Sequence, residues 1–85
     1  MEYETLFKAL ASNRRRSILR YLKKHGEKSV SDISVVIGIS DTSTSKHLVK
    51  LCGFGLVEIG KKERTSVFRL NESLGEFPRR IVGQI

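Results

Sequence analysis

Eighty-five residues allow one small domain and leave little room for a second core. The chain is 39% hydrophobic, and no apolar run approaches the roughly 20 residues that span a bilayer. Sixteen Lys and Arg against nine acids give a net charge of +7 and a pI of about 10.0, a balance that points to a polyanionic partner, most often nucleic acid.

A merely solvated basic surface explains the charge as well, so the pattern of residues has to decide. The opening MEYETLFKAL is acidic and amphipathic, unlike a secretory signal, so a cytoplasmic chain without membrane attachment is expected. The single cysteine, Cys52, excludes an intrachain disulfide and suits a reducing compartment. A small core position is its simplest reading; a redox role requires exposure and a depressed pKa.

Tyr3, Leu6, Phe7 and Leu10 recur at i, i+3, i+4, i+7, which predicts an amphipathic helix over 2–11. Ser12 can cap a second helix, whose inner stripe is Ile18, Leu19 and Leu22 and whose end is Gly26. Arg14, Arg15 and Arg16 stand near its start, either as a solvated face or as phosphate contacts. Ser29 and Asp32 resemble a capping box, opening a short third helix with Ile33, Val36 and Ile37 as its apolar residues. Gly38 is its left-handed stop. Gly38, Ile39 and Ser40 form a three-residue turn into a fourth helix over about 41–53, which together make a helix-turn-helix.

Residues 56–70 read as strand, polar loop, strand, with Lys61, Lys62, Glu63 and Arg64 at the tip. In the tail, Leu74, Phe77, Ile81 and Ile85 can line a helix over about 73–85. Gly75, Pro78 and Gly83 weaken it, although Pro78 fits a first turn.

The fourth helix carries the functional signal. At 100° per residue, Thr44, Leu48 and Leu51 share an inner face. Thr42, Ser43, Lys46 and Lys50 fall on the opposite arc, with Ser45 and His47 at its edges. Short hydroxyl side chains let a helix backbone approach base edges in the major groove, and lysines neutralise phosphates. The other explanation is that Ser and Thr gather here only because they cap helices and fill turns. Asp41 suits the helix dipole but repels phosphates.

At these residues, GISDTSTSKHLVKLCGFGLVE resembles the helix-turn-helix core of the ArsR-type winged-helix repressors. The matching places are Gly38, Ile39, Ser40, Ser45, Lys46, His47, Leu48, Leu51, Phe54, Gly55, Leu56 and Val57. Upstream, ALASNRRRSILRYL is similar to the segment that opens the family's second helix, with Ser12 in place of an Asp and Asn13 in place of a Pro. The resemblance spans roughly residues 5–70. It implies a mainly α fold with a small β-hairpin: a winged helix-turn-helix of four to five helices and a two-stranded wing. It implies a homodimeric repressor that binds double-stranded DNA through Thr42, Ser43, Ser45, Lys46 and His47, with Lys61, Lys62 and Arg64 of the wing on the backbone or minor groove; Lys50 adds charge. The family's dimer interface maps to Tyr3, Leu6, Phe7 and Leu10 of the first helix and to Phe77 and Ile81 of the last; the other reading of the first-helix stripe is that it closes the monomer's own core. One domain over 1–85 is expected, with both terminal helices given to dimerisation.

The departures bear on the signal. Many members bind metal through cysteines in the third helix, which here reads SVSDISVVIG, or through Asp and His in the last helix, where the tail has neither. One Cys and two His do not make a zinc set of three or four ligands, so no metal and no cofactor is expected. A phosphate loop, a nucleophile–base pair and paired carboxylates are all lacking in the sequence, so no catalytic residue is assigned. Two other functions remain. Winged helices also serve as protein-interaction modules, which the outward apolar Val49 suits, and as nonspecific architectural DNA binders.

Overall fold

Three serines set the starts of the three central helices. In the computed structural model, which describes residues 2–85, the hydroxyls of Ser12, Ser29 and Ser40 accept from the backbone N–H of Arg15 (3.2 Å), Asp32 (3.2 Å) and Ser43 (3.1 Å). Each bond satisfies a first-turn donor that the helix itself leaves open, a contribution of about 1 kcal/mol. Among the described residues the element order is α1 (Tyr3–Leu10), α2 (Asn13–His25), β1 (Lys28–Ser29), α3 (Val30–Ile37), α4 (Asp41–Gly53), β2 (Val57–Lys62), β3 (Thr65–Leu70) and α5 (Glu76–Gly83).

The turn between α3 and α4 depends on Gly38, which adopts φ 81° and ψ 33°. In that left-handed state its N–H and that of Ile39 both bond the Ser34 carbonyl, at 2.8 and 3.3 Å, closing the end of α3. The end of α4 closes the same way. Gly55, at φ 80°, bonds the Cys52 carbonyl while Leu56 bonds that of Leu51. The chain then leaves directly into β2.

The sheet has three strands in the order β1-β3-β2 rather than the two expected. β2 and β3 pair antiparallel from Val57↔Leu70 to Lys62↔Thr65, and β1 adds Lys28↔Phe68 and Ser29↔Val67. A two-residue strand is too short to show alternation in a sequence. Only Glu63 and Arg64 connect β2 to β3, both in the left-handed region at φ 50° and 72°. That geometry matches the twist of a tight hairpin.

Leu6, Ala9, Ile18, Leu19, Leu22, Ile33, Leu48, Leu51, Leu56, Val57, Phe68 and Val82 form one core. In α3, Val36 is 56% exposed, contrary to the expected apolar stripe, and Ser34 is buried in its place. The inward arc centres on Val30 and Ile37, with Ile33 at one margin and Ser34 at the other; Val36 falls beyond Ile33. The last helix begins at Glu76, later than expected, with Pro78 in its first turn. Pro78 and Val82 are its buried residues, whereas Phe77, Ile81 and Ile85 are half-buried.

The expected dimer set also needs correction. Leu6 is fully buried in the chain's own core and so is unavailable to a partner. The α1 stripe has two flanks: Leu6 and Ala9 turn inward, and Tyr3 and Phe7 turn outward at 61% and 56% exposure. Leu10 is half-buried against the core.

A β-carbon at Gly38 meets nothing within 4 Å, so the cost of a substitution there is the left-handed backbone alone. Gly38→Ala is expected to lower unfolding stability by about 1–2 kcal/mol, with Gly38→Asn costing less. Urea denaturation of the three proteins checks this, and equal midpoints contradict it.

Candidate nucleic-acid interface

The orientation of α4 follows from its buried stripe. Thr44, Leu48 and Leu51 are completely buried. The Thr44 hydroxyl donates to the Ser40 carbonyl at 2.9 Å, so a polar group enters the core without an unpaired proton. Asp41 is tied sideways: the Ser34 hydroxyl donates to its carboxylate, linking the start of α4 to α3. This bond gives the acidic residue a structural role at the helix start.

With one face fixed inward, the opposite face is presented to solvent. Thr42, Ser43, Lys46, Val49 and Lys50 are exposed, while Ser45 and His47 are half-buried. The short hydroxyl residues stand at the N-terminal end of α4 and the lysines further along. Lys61 and Lys62 of β2 and Arg64 at the hairpin tip are exposed as well. The inner part of the hairpin carries a neutralised cation: Arg69 pairs with Glu58 at 3.3 Å and Glu27 at 3.8 Å. Its guanidinium lies across Gly60, where a β-carbon would come within 2.8 Å of Nη1.

The arginine run divides by task. Arg15 Nε and Nη2 donate to the carbonyls of Ala9 (2.7 Å) and Lys8 (3.0 Å), and Arg16 donates to Leu10 (2.5 Å). The Ala9 and Leu10 carbonyls are among those that a helix end leaves open, and that of Lys8 already accepts from the Ala11 N–H, so both arginines clamp the end of α1 onto α2. The Arg15 guanidinium also stands 5.7 Å from the Phe54 ring centre. Arg14 is exposed at the start of the helix. The sequence does not show this division, because the partners are main-chain carbonyls.

His47 sits where α4 meets the start of α2. Its Nδ1 is buried and has no hydrogen-bond partner among the described residues. Burial, and then the charges of Arg15, Lys50 and Arg14, lower its pKa below the ordinary 6.5. The buried nitrogen cannot meet a base, so only the remainder of the ring is available for readout. Burial raises the Cys52 pKa, which makes the half-buried thiol a poor nucleophile. Among the described residues no three His, Cys, Asp or Glu side chains stand close enough to hold a metal ion.

The folded state disfavours protonated His47, so the unfolded chain takes up that proton first as pH falls. Its contribution to stability is therefore present above pH 6.5 and lost as pH falls through the lower folded value. An NMR titration of the His47 ring is expected to give a midpoint below 6.5. His47→Gln should flatten the acid limb of the stability curve, and a midpoint above the ordinary value contradicts the assignment.

Comparison with known proteins identifies the family and the fold. The family model described as bacterial regulatory protein, arsR family, matches residues 12–58. The solved homodimeric winged helix-turn-helix DNA-binding domain from Mycobacterium bovis is 32% identical, with a TM-score of 0.81 over 95% of this chain and 71% of that one. The transcriptional regulator HlyU from Vibrio vulnificus is 30% identical, with a TM-score of 0.80 over 94% of this chain and 79% of its own. NolR from Sinorhizobium fredii is 26% identical, with a TM-score of 0.80 over 95% and 77%. No curated protein matches. The chain belongs to the ArsR family of bacterial regulatory proteins.

Proposed function

We propose that this chain is a sequence-specific transcriptional regulator that binds double-stranded DNA as a homodimer and represses by occupying its operator. The observation that carries the reading is the outer face of α4. It is held by a fully buried stripe behind it, headed by exposed Thr42 and Ser43, and followed by Lys46 and Lys50. Such a helix fits a major groove about 12 Å wide. Ser45 and the accessible part of His47 add readout at its edges, and Lys61, Lys62 and Arg64 supply phosphate contacts from the wing. Binding of this kind needs neither metal nor cofactor, and it places the chain with the DNA in the cytoplasm. No helix among the described residues is long and apolar enough to cross a membrane.

Dimerisation through the terminal helices is supported by apolar side chains that the core leaves exposed or only partly covered. Tyr3 stacks on Phe77 with ring centres 4.5 Å apart, which joins α1 and α5 into one surface. Phe7 is exposed beside them and Ile81 is half-buried. The Mycobacterium bovis domain is described as homodimeric. A two-fold dimer sets its recognition helices about one DNA turn apart, roughly 34 Å, and so reads a palindrome.

Selection from a random duplex library is expected to enrich a palindrome, bound at least about a thousandfold more tightly than random DNA. Five cations per protomer set the steepest salt slope of the dimer at about −9 in log–log form. Ser43→Ala should reduce preference among sequences more than total binding, whereas Lys61→Ala should weaken binding to all sequences alike. Salt-sensitive binding without an enriched motif would indicate an architectural protein, and no binding at low salt a protein-interaction module. Phe7→Glu is expected to weaken self-association by roughly tenfold or more without unfolding the chain. Sedimentation equilibrium measures the first and circular dichroism the second.

A further inference from the structure

Val49 is 69% exposed, in the middle of a face otherwise made of hydroxyls and lysines. Neither packing nor local propensity accounts for it. Its side chain is outside the core, and valine is a poorer helix former than the lysines beside it. A single exposed apolar residue is ordinary on a protein surface; the position of this one is specific. Val49 lies seven residues beyond Thr42, two helical turns and about 10 Å along the same face. With Thr42, Ser45, Lys46 and Lys50 it lines a shallow open groove of about 570 Å³.

We infer that Val49 reads the 5-methyl group of a thymine in the major groove, as a specificity-determining residue of the DNA contact. This rests on the DNA-binding function proposed above. The two lysines that flank Val49 fit a polyanion rather than an apolar protein partner. When this face enters a major groove, a side chain without donor or acceptor can gain only by excluding water against an apolar group. The thymine methyl is the one such substituent that the base edges display there. Thr42 and Ser45 supply hydrogen bonds nearby, so the face pairs polar readout with a single methyl contact.

Deoxyuridine in place of thymine removes that methyl and leaves every hydrogen-bonding group. The experiment uses the selected operator with each thymine replaced in turn, in both half-sites, and compares the wild-type chain with Val49→Ala. Wild type is expected to lose about fourfold in affinity at one thymine per half-site, and Val49→Ala to bind thymine and uracil there equally. Tight operator binding with no uracil-sensitive position overturns this inference and leaves the DNA-binding reading intact. So does the same sensitivity retained in Val49→Ala. Failure of the wild-type chain to bind any duplex overturns both.

Discussion

The burial of Thr44, Leu48 and Leu51 is the constraint on which the rest depends. It fixes the rotation of α4 about its axis, and the rotation decides which side chains a partner meets. A one-residue slip in that stripe would turn Thr42 and Lys46 about 100° around the helix. Thr44 makes the arrangement more exacting than an all-aliphatic stripe would. Its hydroxyl is satisfied by the Ser40 carbonyl, so the core register and the N-cap are set together.

Positive charge serves two purposes in this molecule. Arg15 and Arg16 hold the carbonyl end of α1, and Lys23 holds that of α5 by donating to the carbonyls of Val82, Gly83 and Ile85 at 3.4, 3.0 and 2.9 Å. Cations placed at the negative ends of helices contribute to folding. The central helix α2 thereby ties down both terminal helices, which bear the proposed dimer surface. The net charge of +7 is therefore not all free for a partner, since part of it holds helix ends. Exposed cations also stand on other faces, among them Lys8, Arg20, Lys24 and Arg80, apart from those of α4 and the wing.

Much of the fold is legible in the sequence because its boundaries rest on local chemistry. Serine caps and left-handed glycines act within a few residues, so the limits of α3 and α4 follow from Ser29, Gly38 and Ser40. The outward arc of α4 is equally legible, because thirteen residues give the helical period time to show itself. Shorter elements are less determined. The eight residues of α3 accommodate two apolar arcs, and tertiary packing chose the one containing Ser34 rather than Val36. The split between Leu6 and Phe7 has the same origin. The burial of His47 and the clamps of Arg15 and Arg16 were not legible, since each joins groups from different elements.

The hairpin has a consequence for how such a domain can vary. Its arms are joined by only Glu63 and Arg64, so there is no slack at the tip. Successive residues along a strand face opposite sides and advance about 3.4 Å. Adding one residue to each arm would push Arg64 outward and also turn the tip over, presenting its charges to the wrong side. The reach of the wing is thus available only in steps of about 7 Å when the same side must be presented. Wing length in this architecture is a quantised variable, and paired insertions are the route by which it can change.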